Sequence, residues 1–150
     1  VTEGIQGNFV EAAKNISAAI SLALDLGIAT PPNDYVGLAN LARRCDALLV
    51  ARALYASFLP LWVKFDPETA RDWLRLGKQE LLSDMGEDGE LLIAFVEGTL
   101  AGVEDVELER RVTTMESEAL EELEREDIDP FDVATWPSLG EGGEPVDLVH

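Results

Sequence analysis

The sequence predicts an all-α fold, with four or five helices in a small bundle and an extended C-terminal arm. Apolar residues recur at three- and four-residue steps through most of residues 8–126, which is the spacing of amphipathic helices. No segment shows the convincing alternation of a strand. Hydrophobic residues make up 47% of the 150 residues, enough for one domain to build its own core. We therefore expect a helical domain over residues 1–126 and an arm over residues 127–150.

The first helix is predicted to begin at Asn8, because Glu11 three residues later completes a loose capping box. Gly27 is typical of the position just after a helix end. Residues 30–34, TPPND, predict a turn, since paired prolines disfavour continued helix. The predicted apolar stripe of this helix comprises Phe9, Ala12, Ala13, Ile16, Ile20, Ala23 and Leu24.

A second helix is predicted from Asn33 or Asp34 to Pro60, where proline ends or kinks it. Cys45 falls at helical spacing within the stripe, which favours a small buried residue over a nucleophile. The apolar run at 48–63 is shorter than the roughly 18 residues of a membrane span, and we interpret it as a core helix. The predicted stripe comprises Leu38, Leu41, Cys45, Leu48, Leu49, Tyr55 and Leu59.

Residues 66–69, DPET, predict a new helix start, with Asp66 as the N-cap and Pro67 in the first turn. The glycine-containing stretch 83–90 is predicted to break this helix, and a short buried helix is predicted over 91–102. A final helix is expected from about residue 105 to residue 126. Its apolar stripe comprises Leu108, Val112, Met115, Ala119 and Leu123. For the tryptophans at 62 and 73, core packing is favoured over an exposed partner-binding patch.

The charge is distributed unevenly along the chain. Residues 1–83 carry nine acidic and eight basic side chains, a net charge of −1, whereas residues 84–150 carry twenty-one acidic and three basic ones, a net charge of −18. Acid-rich, lysine-poor usage suits a salt-loving or GC-rich host. Salt adaptation alone would spread acid over all surfaces, so the asymmetry also indicates a specific surface. Ordinary nucleic-acid binding is disfavoured, because it requires clustered basic residues.

Nine of the twenty-one acidic side chains of residues 84–150 fall in the last predicted helix, and we define its acidic face by Glu116, Glu118, Glu121, Glu122, Glu124 and Glu126. Glu118 with Glu122, and Glu122 with Glu126, are like-charge pairs that each cost about 0.2–0.5 kcal/mol. Predicted pairs of Glu107 with Arg111 and of Glu121 with Arg125 recover similar amounts. Two interpretations of the face remain open: a solvated surface in a salty cytoplasm, or a surface that faces a basic partner or repels DNA.

The motifs of common catalytic and metal sites are missing from the sequence, so we expect no enzyme activity, no cofactor and no metal. Asp84, Asp88 and Gly89 match positions of a calcium loop, but Gly86 replaces its third ligand and Phe95 its bidentate glutamate. The one histidine is the terminal residue, which argues against zinc and di-iron sites. No glycine-rich phosphate loop is present.

The arm contains apolar residues in a segment too short and broken to form its own core, and we expect it to dock either on its own domain or on a neighbouring protein chain, of which the neighbour is favoured. Residues 145–149, PVDLV, offer a strand for a partner sheet as one mode. Arg43 and Arg44 are expected to pair with Asp46 and local carboxylates, or to dock the acidic half of a neighbouring copy. The candidate partner-binding residues of the arm are Phe131, Trp136, Leu139, Val146 and Leu148.

In helix lengths and order over residues 8–126, with the arm behind them, the chain resembles the small helical head–tail connector (adaptor) proteins of tailed viruses. The resemblance implies a virion protein that forms a ring under a portal, with an acidic face that repels DNA and arms that reach neighbouring proteins. It carries no motif from which a functional residue can be transferred. Two alternatives remain: a cytoplasmic acidic regulator or inhibitor that covers a basic partner by resembling DNA, and a halophilic enzyme.

Overall fold

The computed structural model describes residues 2–136 of the chain, with side chains from residue 8 onward. Residues 2–136 contain no strand, which confirms the predicted all-α class and the number of helices. The helices are α1 (Thr2–Asp25), α2 (Pro32–Arg44), α3 (Leu48–Phe65), α4 (Pro67–Leu100) and α5 (Val106–Arg125), followed by a short 3-10 helix, Val133–Thr135.

Helix α3 is the centre of the bundle, because α2, α4 and α5 all pack against it. Within the described part of the chain it is the one helix long and apolar enough to cross a membrane, yet half of it is buried inside the domain. This burial accounts for its apolar composition and supports its interpretation as a core helix. Helix α1 packs on α2 and on the 3-10 helix. The buried residues of α3 are Val50, Ala51, Ala53, Leu54, Tyr55, Ala56, Leu59, Trp62 and Val63.

Four helix ends close in the same way, with one residue in the left-handed region and the next N–H bonded back to the helix. Gly27 and Gly102 hold this position after α1 and α4, with φ of 71° and 79°. Asp46 and Asp127 hold it after α2 and α5, with φ of 66° and 60°. Ala47 N–H donates to the Ala42 carbonyl at 2.8 Å, as a Schellman end requires.

The prediction of one helix from Asn33 to Pro60 was therefore wrong, because the chain turns at Asp46 into α3. An aspartate at this position gives a weaker sequence signal than glycine, although both tolerate a positive φ. Pro60 lies inside α3, which continues to Phe65. Burial of Leu59 on one side of Pro60 and of Trp62 on the other stabilises the helix across it.

The predicted start of α1 was also wrong, since the helix already runs from Thr2 and Asn8 lies within it. Asparagine inside a helix costs less than about 1 kcal/mol relative to alanine, so a capping pattern there does not force a start. The predicted stripe holds at Ala13 and Ile20, which are buried, and fails at Leu24, which is exposed. The start of α4 is confirmed: the Asp66 side chain accepts the Thr69 N–H at 3.3 Å.

Helix α4 contains the break that the glycines at 83–90 predict, but the break is confined to one residue. Gly86 has φ 56° and ψ −127°, and helix continues on both sides of it. Gly89 is buried where the two segments meet, and a Cβ there would lie 2.7 Å from the Leu81 carbonyl oxygen. The predicted short helix at 91–102 is thus the second segment of α4.

Candidate interaction surfaces

Helix α5 is anchored along one side and open along the other. The Asp105 side chain caps it by accepting the Leu108 N–H at 3.1 Å, and acids in its first turn favour the positive end of the helix dipole. Four residues of the predicted stripe, Val112, Met115, Ala119 and Leu123, are buried against the bundle. Packing therefore stabilises a helix that its charge opposes, and it fixes which side chains face solvent.

The acidic face occupies the C-terminal half of α5, with Glu126 as the C-cap of the helix. Glu116 and Glu122 are half-buried at its edges, and the other four glutamates are exposed. Within residues 8–136, Glu118 is the one member with an ion pair, to Arg52 at 3.3 Å. The predicted pair of Glu121 with Arg125 is not formed, and Glu107 pairs with Arg110 one position earlier than predicted. Five glutamates of the face therefore keep their charge uncompensated by any described cation within 4.0 Å.

Arg52 connects the acidic helix to the centre of the bundle. Its Nε lies 2.9 Å from Asp88 Oδ2 on α4, at an angle outside that of a hydrogen bond, so the contact is electrostatic. Its Nη2 donates to Glu118 Oε1 on α5. Arg52 thereby joins α3, α4 and α5 at one point. Arg110 and Arg111 line the same shallow recess, which has a volume of about 220 Å³.

A polar cluster lies in the interior between α2, α3 and α4, and Arg43 is its main donor. The guanidinium donates to Asp84 Oδ2 at 2.7 Å and to the Tyr55 hydroxyl at 3.1 Å. Glu80 bonds both Arg43 and Arg44. Burial alone would lower the pKa of Arg43, but its contacts with Tyr55, Asp84 and Glu80 outweigh burial and raise it. Arg43 thus stays charged. Its ion pairs with Glu80 and Asp84 confirm the expected pairing with local carboxylates, although these carboxylates come from α4 and Asp46 is not among them.

The polar cluster extends to the two tryptophans whose location the sequence left open. The Tyr55 hydroxyl donates to Asn40 Oδ1, and Trp73 Nε1 donates to the same oxygen at 3.2 Å. Trp62 is buried and packs edge-on against Trp73, with ring centroids 5.7 Å apart. The pair is part of the core, which confirms the favoured interpretation. Burial raises the pKa of the Tyr55 hydroxyl, which therefore stays protonated.

Cys45 is fully buried, as its helical spacing predicts. Burial raises the pKa of its thiol above the ordinary value of 9.0, which disfavours the thiolate needed for nucleophilic attack. No group of three or more potential metal-ligating side chains comes together within the described residues. The partial calcium loop is helical here, and its two aspartates are engaged by arginines: Asp84 by Arg43 and Asp88 by Arg52.

The first part of the arm folds back onto the domain. Trp136 is 1% exposed, and Ile128 and Val133 are buried with it. Phe131 packs edge-on against Tyr35 of α2, with ring centroids 5.8 Å apart, and the 3-10 helix contacts α1. The turn is fixed by Thr135, whose hydroxyl accepts the Asp129 N–H at 2.8 Å.

This placement bears on two expectations about the arm, its docking and the extent of the helical domain. Trp136 is enclosed by its own chain in this conformation, and Phe131 is half-buried. The apolar surface that these two residues were expected to offer a partner therefore packs largely against their own domain. Packing against the core continues beyond residue 126, as far as Trp136 at the end of the described residues. The physical reason is that buried Ile128 and Val133 attach the segment to the core. Leu139, Val146 and Leu148 lie outside the described residues, and their docking remains a prediction.

Comparisons of the chain with protein-family models, with curated proteins and with solved structures give no match. Function is therefore inferred from charge, burial and contacts alone. The polar cluster around Arg43 is satisfied internally and joins helices. On the acidic face of α5, five of the six glutamates have no ion pair with a described residue.

Proposed function

We propose that the protein is a non-catalytic interaction subunit whose acidic face docks a positively charged surface of a partner protein. One observation supports this most strongly. Glu116, Glu121, Glu122, Glu124 and Glu126 project from a helix fixed in the core, and no described cation lies within 4.0 Å of them. The unpaired glutamates are compatible both with an assembly subunit and with a regulator that covers a basic partner.

The energetics favour a basic partner. Like-charge neighbours four residues apart repel by about 0.2–0.5 kcal/mol per pair, so an incoming cation both gains attraction and relieves repulsion. A field of one sign also accelerates encounter with a complementary surface. The same field opposes the phosphates of DNA, whose binding requires lysine and arginine clusters. The acidic face therefore selects basic proteins and excludes nucleic acid.

The location of docking can be tested by NMR titration with a short lysine-rich helical peptide. We expect amide shifts on the exposed side of α5 between residues 116 and 126. A variant with the five uncompensated glutamates changed to Gln should lose these shifts. The matched control removes five charges elsewhere, by changing Glu11, Asp25, Asp34, Glu87 and Glu90 to Gln or Asn, and should keep them. Shifts spread evenly over the whole surface in all three proteins would contradict the proposal.

A second candidate is a ring-forming subunit of the connector type that the sequence resembles. The observation that favours it is an exposed apolar segment at the end of α1, where Leu22, Leu24, Leu26 and Ile28 are each more than half exposed. Such a segment suits a contact between copies, and the acidic face would then line the channel and repel DNA. Sedimentation of wild type against Leu22→Ser/Leu26→Ser tests it, because the substitutions should dissociate an oligomer.

A further inference from the structure

A recess of about 390 Å³ opens where the end of α3 meets the corner between α4 and α5. We call it the corner recess. Its apolar wall consists of Phe95 from α4 and of Val103 and Val106 from the corner, and Lys64 and Thr99 lie at its edge. Phe95 is otherwise buried, so the recess reaches the side of the core. The acidic face lies further along α5, since residue 121 is fifteen positions from Val106, or about 22 Å at the helical rise.

The valines of the recess are unusually open for apolar residues. Val106 is 76% exposed and Val103 is 58% exposed. On α3, Leu61 and Phe65 are also exposed, at 53% and 66%, and they share a helix side because they are four residues apart. Lys64, which lines the recess, lies between them in sequence. An apolar area of this kind, bordered by polar residues, is characteristic of a binding site rather than of scattered surface residues.

The border of the corner recess carries a net negative charge. Glu104, Asp105 and Glu109 line it, and Lys64 is its one cation. Asp105 is engaged in capping α5, which fixes its carboxylate in place. Glu104 and Glu109 form no ion pair with any described residue. A segment that inserts an apolar side chain here would therefore meet carboxylates on its flanks, which favours basic neighbours in that segment.

We propose that the corner recess binds an amphipathic, positively charged segment of a partner protein, with an apolar side chain inserted against Phe95 and Val106. The negative charge of the border favours a positively charged segment, and the apolar wall favours an apolar side chain within it. The site is separate from the acidic face and extends the docking surface to the beginning of α5. It goes beyond the proposed function, because that function requires no apolar anchor.

The experiment uses three synthetic helical peptides of equal length with the intact chain. Each peptide has one residue type on each of two opposite helix faces. The first carries lysine and leucine, the second lysine and serine, and the third glutamate and leucine. We expect the lysine–leucine peptide to bind at least about tenfold more tightly than either of the others. NMR shifts from this peptide should include Thr99, Val103 and Val106.

Variants then localise the apolar contact. Val103→Ser/Val106→Ser should weaken binding of the lysine–leucine peptide by about tenfold, whereas the matched control Leu48→Ser/Leu76→Ser, at exposed positions of α3 and α4, should leave its affinity unchanged. All four substituted side chains are exposed, and circular dichroism checks that both variants keep their helices. Equal binding of the lysine–serine peptide, equal binding of the glutamate–leucine peptide, or no effect of the valine substitutions would overturn the proposal.

The outcome is separable from that of the acidic face. The variant with five glutamates changed to Gln should retain the shifts at Thr99 and Val106, because those glutamates lie on the last turns of α5. If this variant lost the shifts at Thr99 and Val106 as well as those of the acidic face, the corner recess would not be an independent site. Absence of recess binding with intact binding at the acidic face would overturn this inference alone and leave the proposed function standing.

Discussion

Arg43 of α2 donates to Asp84 of α4 at 2.7 Å, two residues before the kink at Gly86. Two residues after the kink, Asp88 contacts Arg52 of α3 at 2.9 Å. The two arginines therefore hold the two segments of α4 on either side of the kink. Asp84 and Asp88 are therefore engaged within the fold, in contrast to five of the six glutamates of the acidic face, which have no ion pair with a described residue.

Replacing Arg43 with Met should destabilise the protein by about 2 kcal/mol, within the range for hydrogen bonds to charged groups. The variant keeps an apolar stem but leaves the Tyr55 hydroxyl and Asp84 without their donor. The partly exposed carboxylates regain water, which limits the loss. Urea unfolding measures the difference. Arg44→Met is the control, and its exposed pair with Glu80 should contribute less than about 1 kcal/mol. Equal losses would contradict the internal role of Arg43.

Two glycines of α4 should respond to alanine in opposite directions. At Gly89 a Cβ would meet the Leu81 carbonyl oxygen at 2.7 Å, so Gly89→Ala should cost about 1–3 kcal/mol through overpacking. At Gly77 nothing lies within 4 Å, and Gly77→Ala should stabilise the helix by about 0.5–1 kcal/mol. Thermal unfolding of both variants checks the signs. Stabilisation by Gly89→Ala would show that the segments of α4 do not approach as described.

Stability should fall in alkaline solution because two buried groups must stay protonated. Burial raises the pKa of Cys45 above 9.0 and that of Tyr55 above 10.0, so the folded state holds both protons more tightly than the unfolded state. Their contribution is complete below pH 9 and is lost as the pH rises through and beyond these values. Cys45→Ala should remove the part of the loss that begins just above pH 9. Urea unfolding across this range tests it, and an identical pH dependence in wild type and variant would contradict it.

Trp136 should behave as a core residue. Trp136→Ala is expected to cost about 3–5 kcal/mol, as for other fully buried aromatic residues. A chain that ends after residue 126 should be several kcal/mol less stable than one that ends after residue 136, because it lacks buried Ile128, Val133 and Trp136. Denaturant unfolding of the two truncations compares them. Equal stability of the two truncated chains would contradict the packing of residues 127–136 on the core.

Salt should stabilise the protein through α5. Screening shortens the Debye length to about 3 Å in molar salt, which weakens the repulsion among Glu118, Glu122 and Glu126. We expect the melting temperature to rise from low to molar KCl, and to rise less in a Glu122→Gln/Glu126→Gln variant. Scanning calorimetry at the two salt concentrations measures this. The same rise in both proteins would assign the salt effect to other parts of the molecule.

Several features of the fold follow from local sequence signals. The capped start of α4 at Asp66, the end of α1 at Gly27 and the buried stripe of α5 each depend on residues within one or two turns. The turn at Asp46 did not follow, because an aspartate in the left-handed position resembles any helical aspartate in sequence. Its position is set by the packing of α2 against α3.

The candidate surfaces also divide into features that depend on local sequence and features that depend on long-range packing. The composition of the acidic face could be predicted from the sequence, since its glutamates all lie between residues 116 and 126, near the end of one helix. The carboxylate partners of Arg43 and Arg52 could not, because they come from α4 and α5, at separations of 36 residues or more that only the folded chain brings together. The return of Trp136 to the core depends on long-range packing too, and a proline- and glycine-rich neighbourhood concealed it.

The affinity of a lysine-rich helical peptide for three proteins tests the central claim most directly: wild type, the variant with Glu116, Glu121, Glu122, Glu124 and Glu126 changed to Gln, and the control with five charges removed elsewhere. Isothermal titration calorimetry at low salt gives each dissociation constant. If the acidic face is a docking surface, the face variant should bind at least about tenfold more weakly than the control of equal net charge. Equal weakening in both variants would mean that net charge alone attracts the peptide, and would contradict the claim.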